Sequence, residues 1–270
     1  MRRICVIGDI HGRTNWQRIN LPAFDKVIFL GDYFDPYERK THEELWDNFE
    51  KIIDLKGKEP DKYVLLFGNH DYHYLPKVRS NPYGDRYSRF DYNLENALGI
   101  GKVLEAGLEA GTLQIAYHLP DSPLFFIHAG ISRFWYTRMI LENDVPAEGQ
   151  VVVEDLDKLA DQINHLPLGA FSFYMASGDV YGYDSIQGPL WWRPREWSGR
   201  ARPSGLETNM IQVIGHTQTN MPEIYREEGF VFADCLDNNR FLEIQIEGDE
   251  ITFHPSIIFP KATRNGENTD

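Results

Sequence analysis

Apolar runs of four or five residues recur along the chain, and each ends in a similar block. Ile4-Cys5-Val6-Ile7 leads to Asp9-Ile10-His11, and Val27-Ile28-Phe29-Leu30 to Gly31-Asp32-Tyr33-Phe34-Asp35. Tyr63-Val64-Leu65-Leu66-Phe67 leads to Gly68-Asn69-His70-Asp71, Leu124-Phe125-Phe126-Ile127 to His128-Ala129-Gly130, and Ile211-Gln212-Val213-Ile214 to Gly215-His216-Thr217. Short continuous apolar runs bounded by turn residues predict buried strands. Blocks placed after them would deliver Asp, Asn and His side chains to one edge of a sheet, from loops at the carboxyl ends of its strands.

Other segments fill in the elements. Thr41-His42-Glu43-Glu44 has the form of a capping box, and Leu45, Trp46, Phe49, Ile52 and Ile53 make one helical stripe before Gly57 and Pro60, which predicts a helix packed on the sheet. Residues 104–119 predict strand-like pieces around Gly107 and Gly111, and residues 154–163 a helix. Beyond Met210 the chain predicts strands at IQVI, PEIY, FVFAD, FLEIQIE and EITFH, with Glu247-Gly248-Asp249-Glu250 as a hairpin turn. Two stretches lack a period. Residues 73–92 are polar and aromatic, broken by Pro76, Pro82 and Gly84, and following His70 they are expected to overhang the edge. Residues 132–205 mix aromatics, glycines and arginines, as in FSFYMASGDVYGYDSIQGPLWWRPREW, which predicts a functional loop or a cover over the core. The sum is an α/β (α+β) chain of two packed mixed sheets flanked by helices, with an aromatic-rich insert near the edge that carries the blocks. Residues 1–260 are expected to form a single domain and the polar segment 261–270 a disordered tail.

Charge narrows the partners. With 41 acidic and 27 basic residues the net charge is −14, so long nucleic acid is not an expected partner. A small phosphorylated ligand held by local cations stays compatible. Cys5 and Cys235 lie in apparent strands with no C-x-x-C spacing, which predicts inert buried thiols. The apolar run in MRRICVIGD stops at Gly8, too soon for a secretory signal, and no run is long enough to span a bilayer. A cytoplasmic location and no membrane partner are the expectation.

A lone Asp after a strand is usually a cap and a lone His usually structural, but five such blocks in series are a ligand set. Carboxylates, imidazoles and one amide suit two first-row divalent ions that share a carboxylate. The order D-x-H, G-D-x-x-D, G-N-H-D, H-A-G, G-H-T, from Asp9 to His216, resembles the calcineurin-like metallophosphoesterases. Many of these end in G-H-x-H. Gln218 stands at that second His, which resembles the phosphoprotein phosphatase branch, with its Ser/Thr phosphatases and dinucleoside tetraphosphatases.

The resemblance implies a four-layer αββα sandwich and a dinuclear site. Asp9 and His11 would bind the first metal, Asp32 would bridge, and Asn69, His128 and His216 would complete the second. Manganese is the expected ion, with iron or zinc as alternatives. It implies hydrolysis of a phosphomonoester or phosphoanhydride by attack of a metal-bridging hydroxide. His70 would serve as the general acid, and Asp35 would orient it, with Asp71 as the competing orienter. The branch usually continues G-D-x-x-D with Arg-Gly, whereas Pro36-Tyr37 follows Asp35 here. Arg39, Arg193 and Arg195 are the candidates for the missing phosphate clamp. A small phosphorylated substrate or a phosphoprotein is the expected partner, and His73 is a further residue within reach of it. Trp191, Trp192 and Trp197 are expected to pack as core or lid. A phosphodiesterase of the same superfamily and a noncatalytic metal-binding scaffold are the alternative functions.

Overall fold

The computed structural model describes residues 1–75, 94–141, 151–172, 181–195 and 201–259. The five apolar runs are strands and divide between two sheets. β1 (Arg2–Ile7), β2 (Lys26–Phe29) and β3 (Tyr63–Leu66) run parallel at the centre of the first, with β4 (Leu113–Gln114) parallel at one edge. At the other edge β12 (Arg240–Glu247) and β13 (Glu250–Ile257) are antiparallel, giving the order β13-β12-β1-β2-β3-β4.

The second sheet contains β5 (Ala116–His118), β6 (Leu124–Ile127), β9 (Ile211–Gln218), β10 (Glu223–Tyr225) and β11 (Phe230–Asp234), ordered β10-β11-β9-β6-β5. Its inner strands β6, β9 and β11 are parallel, and its edge strands are antiparallel. A separate pair joins β7 (Val151–Val152) to β8 (Leu206–Glu207).

Strand residues alternate between two cores, as a period of two requires. Ile4, Val6, Ile28, Leu30, Val64 and Leu66 of the first sheet share one buried cluster with Phe126, Val213, Val231 and Ala233 of the second. Cys5, Ile7, Val27, Phe29, Phe125 and Phe232 belong to the other cluster. Both faces of the central strands are therefore covered, which is why these strands read as continuous apolar runs rather than alternating ones.

Among the helices, α1 (His42–Lys58) has the expected start: Thr41 accepts from the Glu44 amide and Glu44 reaches back to the Thr41 amide. Its residues Leu45, Phe49 and Ile52 are buried. α2 (Asn69–Tyr72) is one turn at the end of β3, followed by α3 (Leu94–Glu109), α4 (Arg133–Met139) and α5 (Leu156–Asn164). Asp155 caps α5 at the Lys158 amide, close to the expected helix. No helix among the described residues is long and apolar enough to cross a membrane.

Three expectations are corrected. The segment around Gly107 is helix, not strand, because Ile100 and Leu104 bury one face of α3 and Gly107 lets it approach: a methyl group there would lie 2.8 Å from Leu113. The stretch after Ser132 is less irregular than expected, since Ser132 caps α4 through the Trp135 amide. Gly215-His216-Thr217 lies within β9 rather than after it, at a register shift between β9 and β11. The hairpin turn is where the sequence placed it, with Gly248 at φ 59° and strands ending at Glu247 and Glu250. Most of the expected overhanging loop, Trp197 and the tail lie outside the described residues.

Candidate metal centre

Three blocks end strands of the first sheet and two belong to the second, so the site forms where the carboxyl ends of both sheets meet. The backbone there is held in unusual conformations. His11, Asp32, Asp35 and His216 have φ of 43°, 55°, 64° and 55°, a left-handed region that costs L residues energy and concentrates at functional sites. Asp71 holds two of these loops together. Its carboxylate accepts from the amides of Asp32 (2.8 Å), Tyr33 (2.9 Å) and Gly68 (3.0 Å). Burial, followed by the Asp32 charge, pushes the Asp71 carboxyl up to about 8 against the pull of these amides.

The imidazoles are fixed by backbone carbonyls. His11 Nδ1 lies 2.9 Å from the Asp35 carbonyl, and His128 Nδ1 2.7 Å from that of Leu30. Donating there, each ring turns the lone pair of Nε2 inward. Both lone pairs meet the same atom: Asp32 Oδ2 is 3.5 Å from His11 Nε2 and 3.5 Å from His128 Nε2. That oxygen is buried and has no hydrogen-bond partner, while Asp32 Oδ1 accepts from the His70 amide at 2.8 Å. Asn69 Oδ1 stands 2.8 Å from His128 Nε2. The Nε2 of His216 faces the Trp191 carbonyl at 3.1 Å, leaving Nδ1 as its free nitrogen.

A buried set of acceptors facing one another is unfavourable without a cation among them. Burial lowers His11 to about 3 and also lowers His128 and His216, which favours the neutral form that ligands require. Burial, then Asp234 and Asp32, raises Asp9. Against burial, the imidazoles of His128, His70 and His11 hold Asp32 low. Two groups of donor atoms close enough to share a cation result, His11 with Asp32 and His70, and Asp9 with Asp32 and His128. The residues present fit a metal site in which Asp32 is common to both groups.

His70 is placed differently from the other rings. Its Nδ1 is 2.6 Å from Asp35 Oδ2. Although burial disfavours its cation, Asp32 and the hydrogen bond to Asp35 raise its pKa overall. Asp71 is occupied by backbone amides and takes no part in this pair. His73 packs edge-on to Trp191 (5.4 Å) and to His70 (6.0 Å), with Nδ1 buried and unpartnered; burial, then the His70 charge, lowers it to about 4.

The three candidate clamps are separated. Arg193 donates to the His216 carbonyl and lies beside the His128 and His216 rings, whose pKa values it helps to lower. Arg195 pairs with Glu223 on β10 at 2.8 Å. Arg39 is exposed in the loop before α1. Trp191 and Trp192 are buried, and Trp191 donates to the Phe171 carbonyl.

Two neighbours escaped the sequence reading. Asp234, ending β11, is buried beside Asp9, and burial followed by nearby charges brings it up to about 6. Its signal was the same as that of the other blocks, an acid closing the apolar run FVFAD. Arg13, two residues past His11, donates to the Asp9 carbonyl at 3.0 Å and pairs with Asp237. Its signal was a cation following D-x-H-G.

Two sheets that bring buried carboxylates, neutral imidazoles and an imidazole–carboxylate pair to one edge define a metal-dependent phosphoesterase. The family model of the calcineurin-like phosphoesterases matches residues 2–220, and the chain belongs to that family. No curated protein sequence matches it. Among solved structures, the I115M mutant of a cold-active protein tyrosine phosphatase is similar at 16% identity and a TM-score of 0.56, covering 94% of this chain and 80% of that one. The cold-active protein tyrosine phosphatase of a psychrophilic Shewanella gives 14% identity, a TM-score of 0.51, and the same 94% and 80% coverage. A protein serine/threonine phosphatase of Saccharomyces cerevisiae gives 13%, 0.51, and coverage of 96% and 82%. At such identities the likeness is one of fold.

Proposed function

We propose that the protein hydrolyses a phosphomonoester or a phosphoanhydride at a dinuclear centre. The observation that carries this reading is the unpartnered, buried Asp32 Oδ2 between the Nε2 atoms of His11 and His128, 3.5 Å from each. One cation would sit among Asp9, His11 and Asp32, and the other among Asp32, Asn69, His128 and His216. When bound, two divalent ions supply an acidified water and neutralise phosphoryl oxygens. Manganese suits this mixture of oxygen and imidazole ligands, as do iron and zinc.

The chain's own groups do the rest. His70, hydrogen-bonded through Nδ1 to Asp35, would hold a proton for the leaving oxygen on Nε2. Asp35 fixes the ring through Nδ1. Arg193, half-buried beside His216, is the clamp best placed to pair with the phosphate oxygens; Arg195 is engaged by Glu223. Gln218 is exposed and donates to Asp237, so it adds nothing to the first cation position. That favours a monoesterase or anhydride hydrolase over a phosphodiesterase, and a small phosphorylated compound or a phosphoprotein remains the substrate class.

The test separates the roles. Manganese-loaded His70→Asn is expected to keep its metal, measured by elemental analysis, while kcat on alkyl phosphates falls by about 10²–10⁴-fold. Asp32→Asn is expected to lose metal and activity together. Full metal retention in Asp32→Asn, or wild-type turnover of an alkyl phosphate by His70→Asn, rejects the assignment.

A further inference from the structure

Beside the first cation position lies a cleft of about 310 Å³ whose wall begins at His11 and continues through Arg13, Tyr37, Lys40, Asp237 and Asn239. It adjoins the site without supplying any of the ligands except His11. One wall, Tyr37, belongs to the Pro36-Tyr37 pair that follows Asp35 in this chain.

The cleft is built around a fixed guanidinium. Arg13 is held by the Asp9 carbonyl at 3.0 Å and by the Asp237 carboxylate, and its Cζ lies 5.2 Å from the centroid of the Tyr37 ring. Tyr37 in turn packs 4.5 Å from the His11 ring, centroid to centroid, and leaves 48% of its surface exposed. Lys40 lies along Gly12, its Cδ 3.1 Å from where a methyl group would stand, and has no ion pair among the described residues. Of the two acids lining the same cleft, Asp237 is already paired with Arg13, and Glu38 is exposed. In a chain of net charge −14, two cations against two acids make this cleft locally neutral rather than acidic, and with Arg13 braced by Asp237 the Lys40 ammonium is left to face a ligand next to a cation site.

We propose that this cleft receives the second phosphate of a phosphoanhydride substrate, with Lys40 and Arg13 facing its oxygens and Tyr37 offering a ring face to the group beyond. The proposal rests on the phosphoesterase reading above and narrows it from esters in general to anhydrides. In the reaction the bond between the scissile phosphorus and the bridging oxygen breaks. Water adds its oxygen to that phosphorus, and the departing phosphate keeps the bridging oxygen and its electron pair and takes up a proton. The cleft would hold the departing phosphate.

The experiment compares methylenediphosphonate, which cannot be hydrolysed at its bridge, with methylphosphonate, titrated calorimetrically into manganese-loaded full-length protein. The diphosphonate is expected to bind about tenfold more tightly, the scale of one charge-assisted contact. In Lys40→Gln that advantage is expected to disappear, and in Lys40→Arg to return. The ratio of kcat/KM for inorganic pyrophosphate to that for 4-nitrophenyl phosphate should fall in parallel in Lys40→Gln. An equal preference for the two phosphonates in the wild type, or an advantage that Lys40→Gln leaves intact, overturns the cleft assignment. Because the binding ratio needs no turnover, it reads out even if the protein hydrolyses no phosphate ester, the result that would instead remove the function proposed above.

Discussion

Two glycines in the site have no room for a methyl group. A Cβ on Gly68 would stand 2.1 Å from Asp32 Oδ1, and one on Gly215 would stand 2.3 Å from Asp9 Oδ1. Neither glycine needs a left-handed φ, so each is required by close approach rather than by backbone conformation. Both carboxylates are pinned by amides, Asp32 by that of His70 and Asp9 by that of His216, and cannot step aside. Gly215→Ala and Gly68→Ala are each expected to cost about 1–3 kcal/mol, as overpacking does, and to weaken manganese binding. Denaturant unfolding and metal titration of the purified variants check this, and an unaltered metal affinity would show that the carboxylates have slack. The Asp71 amide contacts make a similar case. Sequence reading left Asp35 and Asp71 as rivals for His70, because both are acids near it in motif order; only the fold shows that three amide groups claim Asp71. Asp71→Asn exchanges one acceptor oxygen of the ionised carboxylate for a donor that faces amide hydrogens, and is expected to destabilise the fold by about 1–3 kcal/mol above about pH 8, where the carboxyl is ionised, as urea unfolding at about pH 9 would measure.

At the level of elements, β1 is the strand on which the first sheet turns, parallel to β2 on one side and antiparallel to β12 on the other. Arg3 and Glu243 clasp that antiparallel side at 2.9 Å. Partial burial would raise the Glu243 carboxyl, but the hydrogen bonds from Arg3 and Gln245 and the Arg3 charge bring it below its ordinary value. A carboxyl depressed in the folded state contributes stability above its unfolded pKa of about 4.3 and loses it as pH falls through the folded value. Arg3→Gln is therefore expected to cost about 0.5–1 kcal/mol at neutral pH, with the difference from wild type shrinking below about pH 4. Urea unfolding at several pH values measures it, and a gap that does not change with pH would place the effect in packing. Elements whose local signals agree were legible from sequence alone. The capping box of α1, the five apolar runs and the hairpin at Gly248 each owe their form to near neighbours in the chain. α3 was not legible, because Gly107 and Gly111 read as punctuation between strand-like pieces, and the value of Gly107 lies in letting the helix approach Leu113 of the first sheet. A reason for a residue that sits on another element leaves no trace in local pattern.

For the molecule as a whole, the consequence of the topology is that the candidate ligands come from two sheets. Asp9, His11, Asp32 and Asn69 follow β1, β2 and β3, whereas His128 and His216 belong to the ends of β6 and β9. The sheets are joined along their length by the apolar layer that includes Ile28, Leu66, Phe126 and Val213. At the carboxyl edge that layer gives way to buried acceptors, which repel one another when no cation stands between them. Motif order in the sequence was enough to place these residues at one edge, but not to show that Asp32 lies between the two sheets and that its free oxygen faces a ring from each. Cations at that point would act as a clasp between the sheets, and any ligand bound only by the native state raises stability by mass action. Manganese at about a hundredfold over its Kd is expected to add about 2.7 kcal/mol, which for a chain of this size raises Tm by about 5–10 °C. Stripping with a chelator should reverse the shift. Asp32→Asn should show neither the rise nor the reversal, while His70→Asn should show both, since the His70 ring is held through Nδ1 by Asp35 and is not among the proposed ligands. A manganese-dependent rise in Asp32→Asn equal to that of the wild type would mean that the ions stabilise the fold from somewhere other than the junction of the two sheets.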